Sequence, residues 1–194
     1  SSAGTRPETA PAVPLRTLTA PWHVSFAYHR LAAPPPAPTT FETLADWTTR
    51  ADLRHFAGSA TYRTQVELTA EEAEQATALD LGALPSGLAA VTVNGVDCGV
   101  VWCAPWTVAV REAFCAGKNE IAVRYVNNWH NLLIGECCRP EAARLTRSNV
   151  RCWARPRQGD PKNPWKLDPT PYSGYCPNDP LQPSGLLGPV RVLR

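Results

Sequence analysis

The side chains of this 194-residue chain allow two kinds of chemistry to be sought. Cleaving a sugar bond needs two carboxyl groups across the scissile linkage, one as acid and one as base or nucleophile. Asp46, Asp52, Asp80, Asp97, Glu120 and Glu136 are the available candidates. No spacing singles out a pair. Asp80 falls in a strand pattern and Asp97 beside a turn, where structural duties are expected. A serine nucleophile would need a marked setting, and the sequence has no Gly-x-Ser-x-Gly elbow. His23, His29, His55 and His130 are scattered, and each is expected to be a satisfied or exposed side chain rather than a base. No catalytic residue is assigned.

Holding a sugar is a different task. It needs flat aromatic faces for the pyranose C–H surface, with amides and charged groups for the hydroxyls. Trp102 and Trp129 are expected in the core, as Trp in a small β-protein usually is. The ligand-facing candidates lie in the loop-rich stretch beyond them: Trp153, Asn163, Trp165, Lys166, Asp168, Tyr172 and Tyr175. The segment VNNWHNLLIGE, 126–136, adds Asn128 and Asn131. With Asn127, these are expected first to satisfy backbone groups at a sheet corner. Contact with a ligand is the rival role. No cofactor or metal ligand is assigned. A structural calcium ion would draw on Asp160, Asn163, Asp168, Asn178 and Asp179, which lack the spacing of an EF-hand loop.

The net charge of +2 is too small to build a broad phosphate-binding field, so nucleic acid is not an expected partner. Six Arg between 139 and 157 are expected to tie down a solvated loop. No apolar run is long enough to span a bilayer. The seven Cys all lie after residue 97 and show no CxxC pair. That spacing argues against zinc and for disulfides in an oxidising compartment. The expectation is a secreted, extracellular or periplasmic protein. Cys137, Cys138, Cys152 and Cys176 would staple the loop region, and the odd thiol would be free or pair with another chain.

These residues must be placed by strands. Pro numbers 20, which disfavours long helices. WHVSFAY, 22–28, and TYRTQVEL, 61–68, alternate apolar and polar residues, as half-buried strands do. Thr69 and Glu72 have the form of a capping box before a short helix at 70–76. TALDLG, WTVAV, NEIAVRYVN and LLGPVRVLR read as further strands. Asn94-Gly95 between two apolar runs predicts a two-residue hairpin turn. Residues 1–20 are expected as an extended Pro, Ala and Thr-rich arm, and 21–194 as one domain with a loop-rich insertion at about 137–184. Many short strands with little helix predict an all-β sandwich or jelly roll.

Six motifs in order carry a resemblance. They are DWT (46–48), RHFAGSATYR (54–63), LDLGAL (79–84), VTVNGVDCGVVWCAPW (91–106), GKNEIAVRYVNNWHNLLIGE (117–136) and PSGLLGPVRV (183–192). The chain resembles the β-sandwich sugar-binding domain of family 2-type glycoside hydrolases, above all the domain attached to bacterial α-L-rhamnosidases. The resemblance implies a galactose-binding-like jelly roll without catalysis of its own, because the acid and base of those enzymes belong to a separate barrel. It implies a glycan, or a catalytic or neighbouring protein domain, as partner. Leu132 stands where the pattern has a basic residue, and Glu136 where it has Asp. Cys98, Cys103 and Cys115 are additions, which fit a stand-alone, disulfide-hardened version. The alternatives are an assembly module that forms an oligomer through the arm or the odd Cys, and a fragment of a complete glycoside hydrolase.

Overall fold

The protein is described by a computed structural model covering residues 13–19, 21–28, 31, 33–110, 112–146, 154–156, 167–169 and 175–194. In chain order the strands are β1 (Pro14–Thr17), β2 (Trp22–Ala27), β3 (Thr39–Phe41), β4 (Ser59–Leu68), β5 (Ala78–Asp80), β6 (Gly87–Val93), β7 (Val96–Val101), β8 (Thr107–Ala109), β9 (Gly117–Asn127), β10 (Ala154–Pro156), β11 (Leu167–Pro169) and β12 (Arg191–Leu193). Two short helices join them, α1 (Ala70–Gln75) and α2 (His130–Cys137). Six strands form one antiparallel sheet in the order β3-β2-β4-β9-β6-β7. Four form a second, β1-β12-β5-β8, and β10 pairs with β11. Their inner faces share one hydrophobic core, which takes Trp22, Val24, Tyr62 and Val91 from the larger sheet and Leu79, Val108 and Val192 from the smaller.

The alternation behaves as strand geometry requires. Successive side chains point to opposite faces, and β2 alternates between buried and exposed residues along its whole length. Asn94 and Gly95 take positive φ angles of 51° and 80°, so β6 turns directly into β7 with Val93 opposite Val96. The capping box forms in full: Thr69 Oγ1 accepts from the Glu72 amide, and Glu72 Oε2 accepts from the Thr69 amide.

Several expectations need correction. Among the described residues no disulfide forms, and Cys98, Cys103, Cys115, Cys138 and Cys176 are free thiols. Cys137 and Cys138 end α2, where adjacent side chains diverge around the helix, and each donates to the carbonyl four residues back, Leu133 and Ile134. Cys152 lies outside the described residues. The segment after β9 is a helix rather than a simple turn. Gly117 opens β9 opposite Leu68, so the strand read from Asn119 begins two residues earlier. Within the residues read as an arm, β1 pairs with β12.

Candidate functional site

Four of the six motifs meet at one corner of the sandwich. Asp46 Oδ1 accepts from the amides of Thr48 and Ser184, at 2.9 and 3.0 Å. The indole of the adjacent Trp47 donates to the Tyr62 hydroxyl at 2.8 Å, and that same hydroxyl accepts from the Leu186 amide at 3.2 Å. Gly185 fits only because it has no side chain: a Cβ there would lie 2.7 Å from the Trp47 ring nitrogen. Asn127 completes the corner. Its Oδ1 accepts from Gly58 N, and its Nδ2 donates to Phe56 O. A second amide knot closes the opposite end of β9. Asn119, 1% exposed, accepts from Asn94 Nδ2 and Cys115 N and donates to the carbonyls of Cys115 and Gly117. Residues far apart in sequence thus supply one another's missing hydrogen bonds, as buried polar groups must.

The candidate Asn residues serve α2 in the same way. Asn131 is buried and clips the chain at Gln182, donating to its carbonyl at 2.7 Å and accepting from its amide at 2.8 Å. Asn128 donates to Gln182 Oε1 and accepts from the His130 amide. Tyr175 meets the His130 ring edge-on at 5.3 Å. The structure therefore brings Asn128, Asn131 and Tyr175 to one cluster around α2. Trp153, Asn163, Trp165, Lys166 and Tyr172 lie outside the described residues, as does the side chain of Asp168, whose backbone belongs to β11.

The carboxylates are each committed to a different part of the fold. Asp46 caps the corner. Asp52 takes a two-pronged bond from Arg50, and Asp80 accepts from the Gly82 amide. Asp97 accepts from Gly99, and Glu120 pairs with Arg63 at 2.7 Å. Glu136 is fully buried. One oxygen accepts from the amide and hydroxyl of Thr146, while the other has no hydrogen-bond partner and faces the Arg139 guanidinium at 3.7 Å. Among the described residues, no group of three or more His, Cys, Asp or Glu is placed to hold a metal.

Trp102 and Trp129, expected inside, are 72% and 46% exposed. Among the described residues, the buried Trp are Trp22 and Trp47. Alternation explains Trp102: Val101 points inward, so the next side chain points out. The surface around it is aliphatic. Val101 pairs with Ala89, which brings Trp102 level with Leu88, and Leu88 lies opposite Val126. Val100, 57% exposed, pairs with Ala90 one row along. The outer face of the larger sheet is thus apolar at the end of β6 and β7 that carries Leu88 and Val100, while Thr92 and Asp97 make it polar near the hairpin and Arg124 lies opposite Ala90.

Over β2, β4 and β9 the same face is polar and grooved. His23, Arg63 and Glu120 project there, with Arg63 directly opposite His23. A groove of about 470 Å³ is lined by these three with Pro21, Thr64 and Gln65. Sequence reasoning missed Trp102 as a surface residue and passed over His23 and Arg63. The phase of the alternation carried the signal, but the register that makes them neighbours did not appear in it.

No family model matches the chain. Known proteins do resemble it. A protein named "Putative beta-glucuronidase" from Formosa agariphila is 27% identical over 157 residues, 78% of this chain and 13% of that protein. The rhamnosidase structure from Novosphingobium sp. PP1Y superposes with a TM-score of 0.67 at 30% identity, over 97% of this chain and 16% of the enzyme. This chain is a glycoside-hydrolase-related β-domain. It spans about one-seventh of the length of these relatives. A β-glucuronidase from Ruminococcus gnavus in complex with D-glucuronic acid overlaps more loosely, with a TM-score of 0.47 at 19% identity over 58% of this chain and 22% of the enzyme. Among the described residues, no helix of the glycoside-hydrolase-related domain is long and apolar enough to cross a membrane.

Proposed function

We propose that this chain is a non-catalytic accessory domain that docks onto a glycoside hydrolase catalytic domain through the outer face of β6 and β7. The observation that carries the reading is the exposed cluster of Trp102, Leu88 and Val100 on one sheet face. Contiguous exposed apolar surface marks an interaction site, and Trp is enriched where interface energy concentrates. A sugar platform needs polar groups around its aromatic ring to meet the hydroxyls. The register sets Trp102 beside aliphatic Leu88 and Val100, with Arg124 opposite Ala90 one row along, and an apolar centre flanked by an Arg favours a protein surface as its partner. The relatives support the choice of partner, since this chain matches only a small part of proteins named for glycoside cleavage. The carboxylates support the absence of catalysis: six were candidates, and each is engaged in a separate structural contact.

The test has two arms. Aryl glycosides incubated with the chain alone should show no turnover. Sedimentation of the chain with a glycoside hydrolase catalytic domain encoded in the same gene or beside it should show a one-to-one complex. Replacing Trp102 and Val100 by Ser should dissolve that complex without altering the circular dichroism of the chain. Turnover by the chain alone, or a dimer of the chain held by the same two residues, would overturn the reading.

A further inference from the structure

Beside the apolar patch stands a cation that no described residue answers. Arg124 is exposed on the outer face of β9. It lies opposite Thr61 of β4 and Ala90 of β6, and Ala90 is in turn opposite Val100 of β7. Val126, two residues on, shares its face and lies opposite Leu88. None of the positions directly or diagonally beside Arg124 on β4, β9 or β6 holds a carboxylate. Two acidic side chains farther along the face are engaged elsewhere. Glu120 holds Arg63 at 2.7 Å, and Asp97 Oδ1 accepts from the Gly99 amide. Among the described residues, neither a carboxylate nor an aromatic ring meets the Arg124 guanidinium.

We infer that the partner surface covering Trp102 carries an Asp or Glu carboxylate that seats on Arg124, an inference that rests on the docking reading and names the chemistry of its partner. An interface of ordinary size buries about 800 Å² on each side, a patch roughly 30 Å across. Val100 and Arg124 are two strand spacings apart, about 10 Å. A partner that covers Val100 and Trp102 therefore also strips water from Arg124. The guanidinium keeps its charge at any working pH. Dehydrated without a counter-charge, it would oppose the apolar contacts beside it. A carboxylate removes that penalty, because its two oxygens match the guanidinium fork. The aliphatic neighbours of Arg124 lower the local polarity once the partner is seated, which strengthens the pair.

The same charge argues against a second copy of this chain as the occupant. Face to face, two copies present the same patch to each other. The patch has no carboxylate to offer, so the contact would bury one guanidinium beside another. Discrimination against self-association and attraction for an acidic partner thus come from one residue.

The experiment is isothermal titration at 150 mM NaCl with the same catalytic domain as in the docking test. Arg124→Ala should weaken binding at least ten-fold and Arg124→Glu at least 100-fold, each with unchanged circular dichroism. Arg124→Lys should fall between the parent and Arg124→Ala, since it keeps the charge and loses the fork. Lys118→Ala removes an equal charge about 20 Å away on the same strand, beyond the screening length of about 8 Å, and should change affinity less than two-fold. Among single Asp or Glu to Lys substitutions on the catalytic domain, one should restore binding by Arg124→Glu to within ten-fold of the parent pair. Arg124→Ala within two-fold of the parent, a Lys118 variant as damaging as the Arg124 variant, or no rescuing substitution would each overturn the inference, while a complex still lost in the Trp102 and Val100 double variant keeps the docking reading intact. A complex indifferent to the double variant but lost with Arg124 would sink that reading and leave the ion pair standing. No complex with the parent would sink both.

Discussion

Replacing Tyr62 by Phe tests the corner on which the whole shell depends. The substitution removes one oxygen and leaves the ring in place. That oxygen accepts from the Trp47 indole and from the Leu186 amide. Both donors belong to residues with no exposed surface, so water cannot replace the lost acceptor. A buried donor left unpaired costs about 1–3 kcal/mol. Two such donors give a loss of roughly 3 kcal/mol after partial relaxation. For a chain of this size, 1 kcal/mol moves the melting temperature by about 2–4 °C. The variant should therefore melt about 6–12 °C below the parent. Thermal circular dichroism measures the shift, and amide exchange should quicken at Leu186 before it does at residues of β9. Burial also pushes the Tyr62 phenol far above its ordinary value. Burial raises Tyr125 in the same direction, so alkaline absorbance titration should find buried tyrosines, Tyr62 among them, that ionise only as the protein unfolds. A melting temperature within about 1 °C of the parent would refute the reasoning.

Other outcomes follow from the same contacts. Asn119→Ala removes four hydrogen bonds from a buried amide and should cost about 3 kcal/mol in urea unfolding, since both the Cys115 and Gly117 backbones lose partners. Trp102→Ser should leave the melting temperature within about 2 °C of the parent, because the ring is 72% exposed. Burying that exposed area against a partner would contribute about 3–4 kcal/mol at ~25 cal/mol per Å², so the same change should weaken docking on the order of 100-fold. Burial, then the neighbouring Cys138 and Cys176, push the Cys137 thiol from 9.0 up to about 11. A raised folded-state value means that the stability it contributes is complete below pH 9.0 and is lost as the pH rises towards 11. Melting temperatures at pH 8 and 10.5 should therefore diverge more for the parent than for Cys137→Ala. Dithiothreitol should leave the melting temperature unchanged, because the thiols of Cys98, Cys103, Cys115, Cys138 and Cys176 are already free.

Strand identity was legible in the sequence because alternation is a local signal. The 22–28 and 61–68 segments, the Asn94-Gly95 turn and the capping box at Thr69 all follow from neighbours within a few residues. The candidate site was far less legible. Trp102 was assigned to the core by its residue type, while its phase relative to Val101 put it outside. The Cys were counted as disulfides from their number, but their spatial separation depends on where β7, β9 and α2 end. Helix α2 was missed because its His, Asn and Gly residues have weak helical preference. It persists because Asn131 is tied to Gln182 and because Gly135 lets His55 pack closely, where a Cβ would lie 2.7 Å from the ring atom Cγ. The groove was invisible for a different reason. His23, Arg63 and Glu120 come from three strands, and only the register sets them side by side.

The account depends most on the division of labour between this shell and a separate catalytic domain. Sedimentation velocity on the chain titrated with a glycoside hydrolase catalytic domain, where one is encoded in the same gene or beside it, is the direct measurement. A single faster-moving one-to-one species, present for the parent and absent for the Trp102→Ser, Val100→Ser double variant, is the predicted result. Two independent boundaries at every ratio, or a complex indifferent to that double variant, would contradict it.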